Sequence, residues 1–347
     1  MSAPHADRIR LSDPAELIAA VPHLLGFHPH DSVVLLALHG RKLGLTLRAD
    51  LVDVEQTALL AEQMLLPLAR QQPTGVAVIV IGGVLSPDGD PPHRALVDVI
   101  ADVLCDAGLP VVHAAWVAAT AEGAQWRCYD DPLCAGTLAD PATTPLAAAS
   151  VAAGAVTFGK REELAELLTG EDPATLQRRA LLIQATDADH PMSAGMRARR
   201  FARLEELYRD AAVGKVELTD HILSQVASAL CDHQVRDACL PWCTGPGAVA
   251  AERLWLALVR ATPAPERAEP AALLALTAYL RGDGALAGLA LDTALQACPE
   301  HSLSGLLRAA LDGGLPPEVL HTVTRDAAAA LRRPPRPTPQ RRSAPKR

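Results

Sequence analysis

Along the first 130 residues the apolar positions change period repeatedly, and each change predicts an element. "RIRLS" (8–12) reads as a short first strand. "DPAELIAAVPHLLG" follows with helical spacing, Asp13 as N-cap, Pro14 in the first turn and Glu16 three residues after the cap. "SVVLLAL" is an unbroken β-branched and leucine run, "HGRK" a turn, and "LGLTLRAD" alternates so that Leu43, Leu45 and Leu47 share one face. Together these predict a hairpin. "VEQTALLAEQMLLPLARQQ" is an amphipathic helix interrupted by Pro67, "GVAVIVIGG" a buried strand, and "PPHRALVDVIADVLCDAG" a helix closed by Gly108. "PVVHAAWVAA" and "AQWRCYD" are two more strands. The order β-α-β-β-α-β-α-β-β predicts an α/β domain, a mixed-sheet sandwich over residues 1–157.

Beyond about residue 160 the strand pattern stops. "REELAELLTG", "PATLQRRALLIQA", "MRARRFARLEELYRDAAV", "TDHILSQVASALCDHQVRDACLPW" and "AAERLWLALVRA" all have helical period, so residues 158–333 are expected to form an all-α domain of helical hairpins. One stretch, "LLALTAYLRGDGALAGLALDTALQACPEH", resembles a single tetratricopeptide hairpin, with Ala287, Leu291 and Pro299 at its small, large and proline positions. No second copy follows at that period. The uncharged stretch 141–159 is too poor in large apolar residues for a membrane span, and is read as a linker with a short buried helix. Residues 334–347 are proline-rich and basic, and are expected to be a disordered tail dispensable for folding.

Charge sharpens this division. The net charge of −8 hides seven basic and no acidic residues in 332–347, which leaves the other 331 residues at −15. An acidic body repels polyphosphate, so nucleic acid is not expected as a partner. The first 21 residues lack a basic stretch followed by an apolar one, so no signal peptide is expected. Seven cysteines, an odd number without a secreted framework, then suggest reduced thiols and a cytoplasmic protein.

Candidate chemistry is concentrated before "SVVLLAL", where His23, His28, His30 and Asp31 crowd nine positions. Three or four ligands must converge within about 2 Å of a metal, whereas His23 ends a helix and the others lie in a loop stiffened by Pro29. The stretch is read as a helix-to-strand connection, and neither metal nor cofactor is expected. The cysteines fall in two groups, Cys128/Cys134 and Cys231/Cys239/Cys243, without C-x-x-C spacing, and are read as packed or surface thiols. The basic start of "RARRFARLEELYRD" is read as a solvated helix with Glu205–Arg209 pairing. Phosphate-loop, dinucleotide, nucleophile-elbow and zincin motifs do not occur.

The hairpin suggests a site. Asp31 begins one strand and Asp50 ends its neighbour, so both stand at the open end. A right-handed crossover would bring the end of "GVAVIVIGG" and the loop "GGVLSPDGDPPH" to the same end. Asp31, Arg48, Asp50, Asp88, Asp90 and His93 would then share one rim, where α/β sheets bind ligands. An arginine among carboxylates suits a cation, a sugar or a phosphate; it also suits a salt-bridged loop cluster.

Several segments resemble a known family: "DPAELIAAVPHLLGFHPHDSVVLLAL", "LRADL", "PPHRALVDVIADVL", "RCYDDPLC", "HQVRDACLPW" and "ALTAYLRGDGALAGLALDTAL". Its most specific pieces are G-F-x-P-x-D-S (Gly26–Ser32), R-D-x-x-L and G-D-G-A-L-A. The chain is similar, as far as about residue 312, to the actinobacterial family called domain of unknown function 4192. The resemblance implies no activity. It does imply that His28 and His30 stand at variable positions of the loop, so that a metal held by them would be peculiar to this chain. The expectation is therefore a non-catalytic interaction or regulatory module that uses its helical half, with a protein partner and no membrane. The alternative is an enzyme or small-ligand binder working at the rim.

Overall fold

The computed structural model describes residues 13–40, 42–152, 154–188 and 193–331. The expected strand "RIRLS" and the basic tail lie outside the described residues. Helix α1 (Pro14–Leu25) starts where Asp13 accepts a hydrogen bond from Ala15 N (2.9 Å) and stops at Gly26, whose φ of 76° is left-handed. Strands β1 (Ser32–His39) and β2 (Lys42–Asp50) form the hairpin. Helix α2 (Thr57–Gln71) crosses to β3 (Gly75–Ile81), and α3 (Arg94–Asp106) crosses to β4 (Val111–Val117). Strands β5 (Gln125–Cys128) and β6 (Ala135–Thr137) complete a mixed sheet of order β2-β1-β3-β4-β5-β6. Strand β1 is antiparallel to both its neighbours, and β3–β4 is the parallel pair.

The central strands are apolar throughout because both faces are covered. Val33, Leu35, Ala37, Val76, Val78, Val80 and Trp116 face α2 and α3. Val34, Leu36, Leu38, Ala77, Ile79, Ile81 and Val117 face α1, in a hydrophobic cluster that continues without a break into the helical half. The alternation expected of β2 is corrected here. A bulge between the Leu36 and Leu38 pairings sets two residues of β2 against one of β1. Leu43 therefore packs in the α1 cluster, while Leu45 and Leu47 pack on the opposite face.

The helical half comprises α4 (Pro145–Ala152), α5 (Arg161–Glu166), α6 (Pro173–Ala188), α7 (Ala194–Ala212), α8 (Asp220–Leu230), α9 (His233–Cys239), α10 (Ala248–Ala261), α11 (Ala268–Arg281), α12 (Gly284–Ala297), α13 (Ser302–Asp312) and α14 (Pro317–Leu331). Helix α4 is short, as expected, but not buried: only Ala147 is inside and Val151 faces solvent. Helices α11 and α12 form the expected hairpin, closed by Gly282 and capped by Asp283. Helix α11 is the central one, buried from Pro270 to Leu280, and its Glu269 carboxylate faces His301 (3.2 Å) and Arg236 (3.5 Å).

Two features of this half were not legible in advance. Arg179 is almost fully buried and ties α6 to Asp220 of α8 (2.9 Å), to Glu171 (3.0 Å) and to the carbonyl of Ala261 (2.9 Å). Trp242 stacks against Tyr208 (centroids 4.6 Å), Phe201 (5.6 Å) and Trp255 (5.9 Å). Nor do the arginines of α7 pair as expected. Among the described residues Arg197 binds Asp232, Arg203 binds Glu206 and Arg200 donates to Ser228, in place of a Glu205–Arg209 pair.

Candidate functional site: a polar cleft at the strand ends

Strand pairing fixes the rim. Ser32 of β1 lies opposite Asp50 on one side and Ile81 on the other, so Asp31, Asp50 and Gly82 meet at one end of the sheet. Gly82 N donates to Val117 O (3.0 Å), which brings the end of β4 to the same edge. Asp31 has a φ of 42°, and a Cβ on Gly82 would stand 2.5 Å from its Oδ1. Only glycine fits there, and its φ of 108° lies in the region that side chains avoid.

The linker out of the α/β half completes the enclosure. Phe158 forms a parallel bridge to Phe27: Phe158 N donates to Gly26 O (2.8 Å) and His28 N to Phe158 O (3.0 Å). That contact sets the start of α5 beside the loop of residues 27–31. The result is an open cleft of ≈ 260 Å³ lined by Phe27, His28, His30, Asp31, Arg48, Asp50, Arg161 and Glu162.

Three of the six rim residues expected from sequence, Asp31, Arg48 and Asp50, therefore stand in the cleft. The other three do not line it. Asp88 and Asp90 flank Gly89 in a tight turn where Ser86 N donates to Asp90 O (2.9 Å). His93 is the left-handed residue before α3, close to Gly83. Sequence reasoning missed Arg161 and Glu162, because a one-bridge contact between Phe27 and Phe158 leaves no local pattern.

Arg48 is already committed. Its Nε donates to Ser32 Oγ (2.8 Å), and its terminal nitrogen reaches Asp50 (2.5 Å) and His30 O (3.4 Å). Ser32 Oγ in turn donates to His30 O (2.6 Å). Asp50 is 78% exposed, so this ion pair is screened by water on one side.

Of the histidines that crowd the sequence, His28 and His30 line the cleft and His23 does not. His23 has one ring nitrogen on Thr157 Oγ1 (3.0 Å) and the other on Pro141 O (2.9 Å). His28 Nδ1 sits on Thr120 O (2.8 Å); a carbonyl only accepts, so Nδ1 carries a hydrogen. Among the described residues no three His, Cys, Asp or Glu side chains are grouped to hold a metal.

The cysteine expectation needs a correction. Cys128 and Cys134, read as separate thiols, are joined in a disulfide across the β5–β6 turn. Cys239 and Cys243 are buried thiols, and burial raises the pKa of both, to about 11 for Cys243. Such thiols stay protonated and inert at neutral pH.

Among the described residues no helix is long and apolar enough to cross a membrane. No curated protein and no solved structure matches the chain. The family model described as "Domain of unknown function (DUF4192)" matches residues 14–318, most of the chain, and the protein belongs to that family.

Proposed function

We propose that the protein is a cytoplasmic, non-catalytic interaction module whose helical half receives a protein partner. The observation that carries this reading is the outer side of α6. Ile183 and Arg179 of that helix are buried, while Leu181 is 63% exposed and Leu182 lies beside it at the surface. Ala185 continues this exposed apolar face one turn on, and Ala174 lies on the same face beyond the exposed Arg178. Apolar side chains on the solvent face of a helix otherwise packed on α8 fit a covered surface better than a bare one.

The test is capture of tagged full-length protein from its source cells, beside the variant Leu181→Asp/Leu182→Asp. A stoichiometric protein partner, lost in the variant while its melting temperature stays within about 2 °C, supports the proposal. Equal capture by both proteins, or none by either, overturns it.

A second reading rests on the cleft. His28, Asp31, Arg161 and Glu162 line a space suited to a small polar molecule such as an amine or a sugar. Thermal shift with a panel of amines and sugars separates the two readings. Stabilisation abolished by Asp31→Asn and by Arg161→Ala would favour the cleft.

A further inference from the structure

Two of the seven cysteines stand apart from the other five. Cys128 ends β5 and is buried, whereas Cys134, just before β6, is partly open to solvent beside the fully exposed Leu133. Their Cα atoms are 5.4 Å apart, inside the range that a disulfide spans. The turn between them is closed by its own backbone: Cys128 N donates to Cys134 O (2.8 Å), Cys134 N to Asp131 O (3.0 Å) and Leu133 N to Asp131 Oδ1 (2.9 Å). The thiols are therefore held in reach of each other whether or not they are bonded.

The same turn grips the loop between β3 and α3. Tyr129, next to Cys128, is buried and donates its hydroxyl to Pro92 O (2.7 Å). Arg94 lies over the Tyr129 ring (5.2 Å to its centroid), donates to Tyr129 O and reaches Asp130 (3.3 Å). On the other side of Cys128, the Arg127 guanidinium stands 3.4 Å from the Cβ position of Gly89. Tyr129 and Asp130 thus hold the end of the segment 83–94, at Pro92 and Arg94, while Arg127 lies close to Gly89; the segment carries Asp88, Asp90 and His93.

We propose that Cys128–Cys134 is a reversible thiol–disulfide site, reduced by a dithiol, whose state sets the mobility of the loop 83–93. A thiolate of the dithiol attacks Cys134 Sγ, the accessible sulfur. The Cys128–Cys134 bond breaks as the mixed disulfide forms, and the electron pair leaves on Cys128 Sγ, which takes up a proton. The second thiol of the reductant then gives up its proton and attacks the reductant sulfur of the mixed disulfide. Cys134 Sγ leaves with its electron pair and is protonated. Two electrons and two protons pass to the protein, and the dithiol ends as a disulfide. Oxidation is the same exchange run backwards against a disulfide.

The experiment uses full-length protein, either treated with trans-4,5-dihydroxy-1,2-dithiane, the cyclic disulfide of dithiothreitol, whose mixed disulfides with lone thiols re-close, or reduced with dithiothreitol, then denatured, alkylated with N-ethylmaleimide and weighed intact. The site predicts five adducts after oxidation and seven after reduction, with five regained on reoxidation. Hydrogen exchange of the native forms adds the coupling: amides of 84–92 should exchange several-fold faster when reduced, while those of α11 do not change. Cys128→Ser/Cys134→Ser should exchange at the reduced rate under both treatments. Seven adducts after oxidant treatment would overturn the site. Equal exchange of 84–92 in both forms would overturn the coupling.

Discussion

Replacing Arg179 by alanine tests the energetics of the helical half. The side chain is 7% exposed and serves three acceptors at once: Glu171, Asp220 and the Ala261 carbonyl. Breaking a buried ion pair by removing one partner costs about 3–5 kcal/mol when the remaining charge is sealed. Here the estimate belongs at the lower end, because Glu171 and Asp220 are each about a third exposed and water can reach them. Asp220 also keeps Arg178 (2.6 Å). The loss should therefore be about 3 kcal/mol. Unfolding entropy of about 2.1 cal/mol/K per residue over 347 residues converts this to a fall of ~4 °C in the melting temperature. The assay is thermal melting followed by circular dichroism, paired with urea unfolding.

The same cluster sets an acid limb. Hydrogen bonds from Arg178 and Arg179 hold the Asp220 carboxyl down at about 2. A depressed carboxylate contributes stability that is complete above its unfolded value near 4 and is lost as pH falls toward 2. In Arg179→Ala the folded value moves back toward the unfolded one, so the acid loss should start at the same pH but be smaller and complete at a higher pH. A melting temperature within 1 °C of the parent, with an unchanged acid limb, would mean that Arg179 carries little of the stability of this cluster.

Gly82→Ala should lower stability by about 1–3 kcal/mol, because its Cβ would meet Asp31 Oδ1 and its φ is positive; urea titration checks this, and adding Asp31→Gly should recover only the clash. Trp242→Ala removes a half-buried ring stacked on three others, and should cost about 3 kcal/mol, read as a melting temperature ~4 °C lower. Asp50→Asn breaks only a solvent-screened pair with Arg48, so the change should stay within about 1 kcal/mol; a larger loss in the same titration would mean that Asp50 orders the rim.

Much of the α/β half was legible because its signals are local. Asp13 and Gly26 punctuate α1, and the apolar runs of β1 and β3 mark strands covered on both faces. The meeting of Asp31 and Asp50 follows from hairpin geometry alone. Pattern reading failed where one residue or one distant contact decides. The bulge in β2 moves Leu43 across the sheet without disturbing the alternation of leucines in the sequence. The Phe27–Phe158 bridge that carries Arg161 into the cleft joins segments with no shared signature. Arg179 looks like any other arginine of a polar helix face until α8 and α10 are placed around it. The Cys128–Cys134 pair was visible as a spacing, but only the turn of the β5–β6 hairpin brings the sulfurs together.

The central claim, a partner surface on the helical half, is tested most directly by hydrogen–deuterium exchange of the full chain, alone and with its captured partner. Slowed exchange is expected along α6, around Leu181 and Leu182, with the cleft segments 27–31, 48–50 and 161–162 unaltered. Protection confined to those cleft segments, with α6 unaltered, would contradict it.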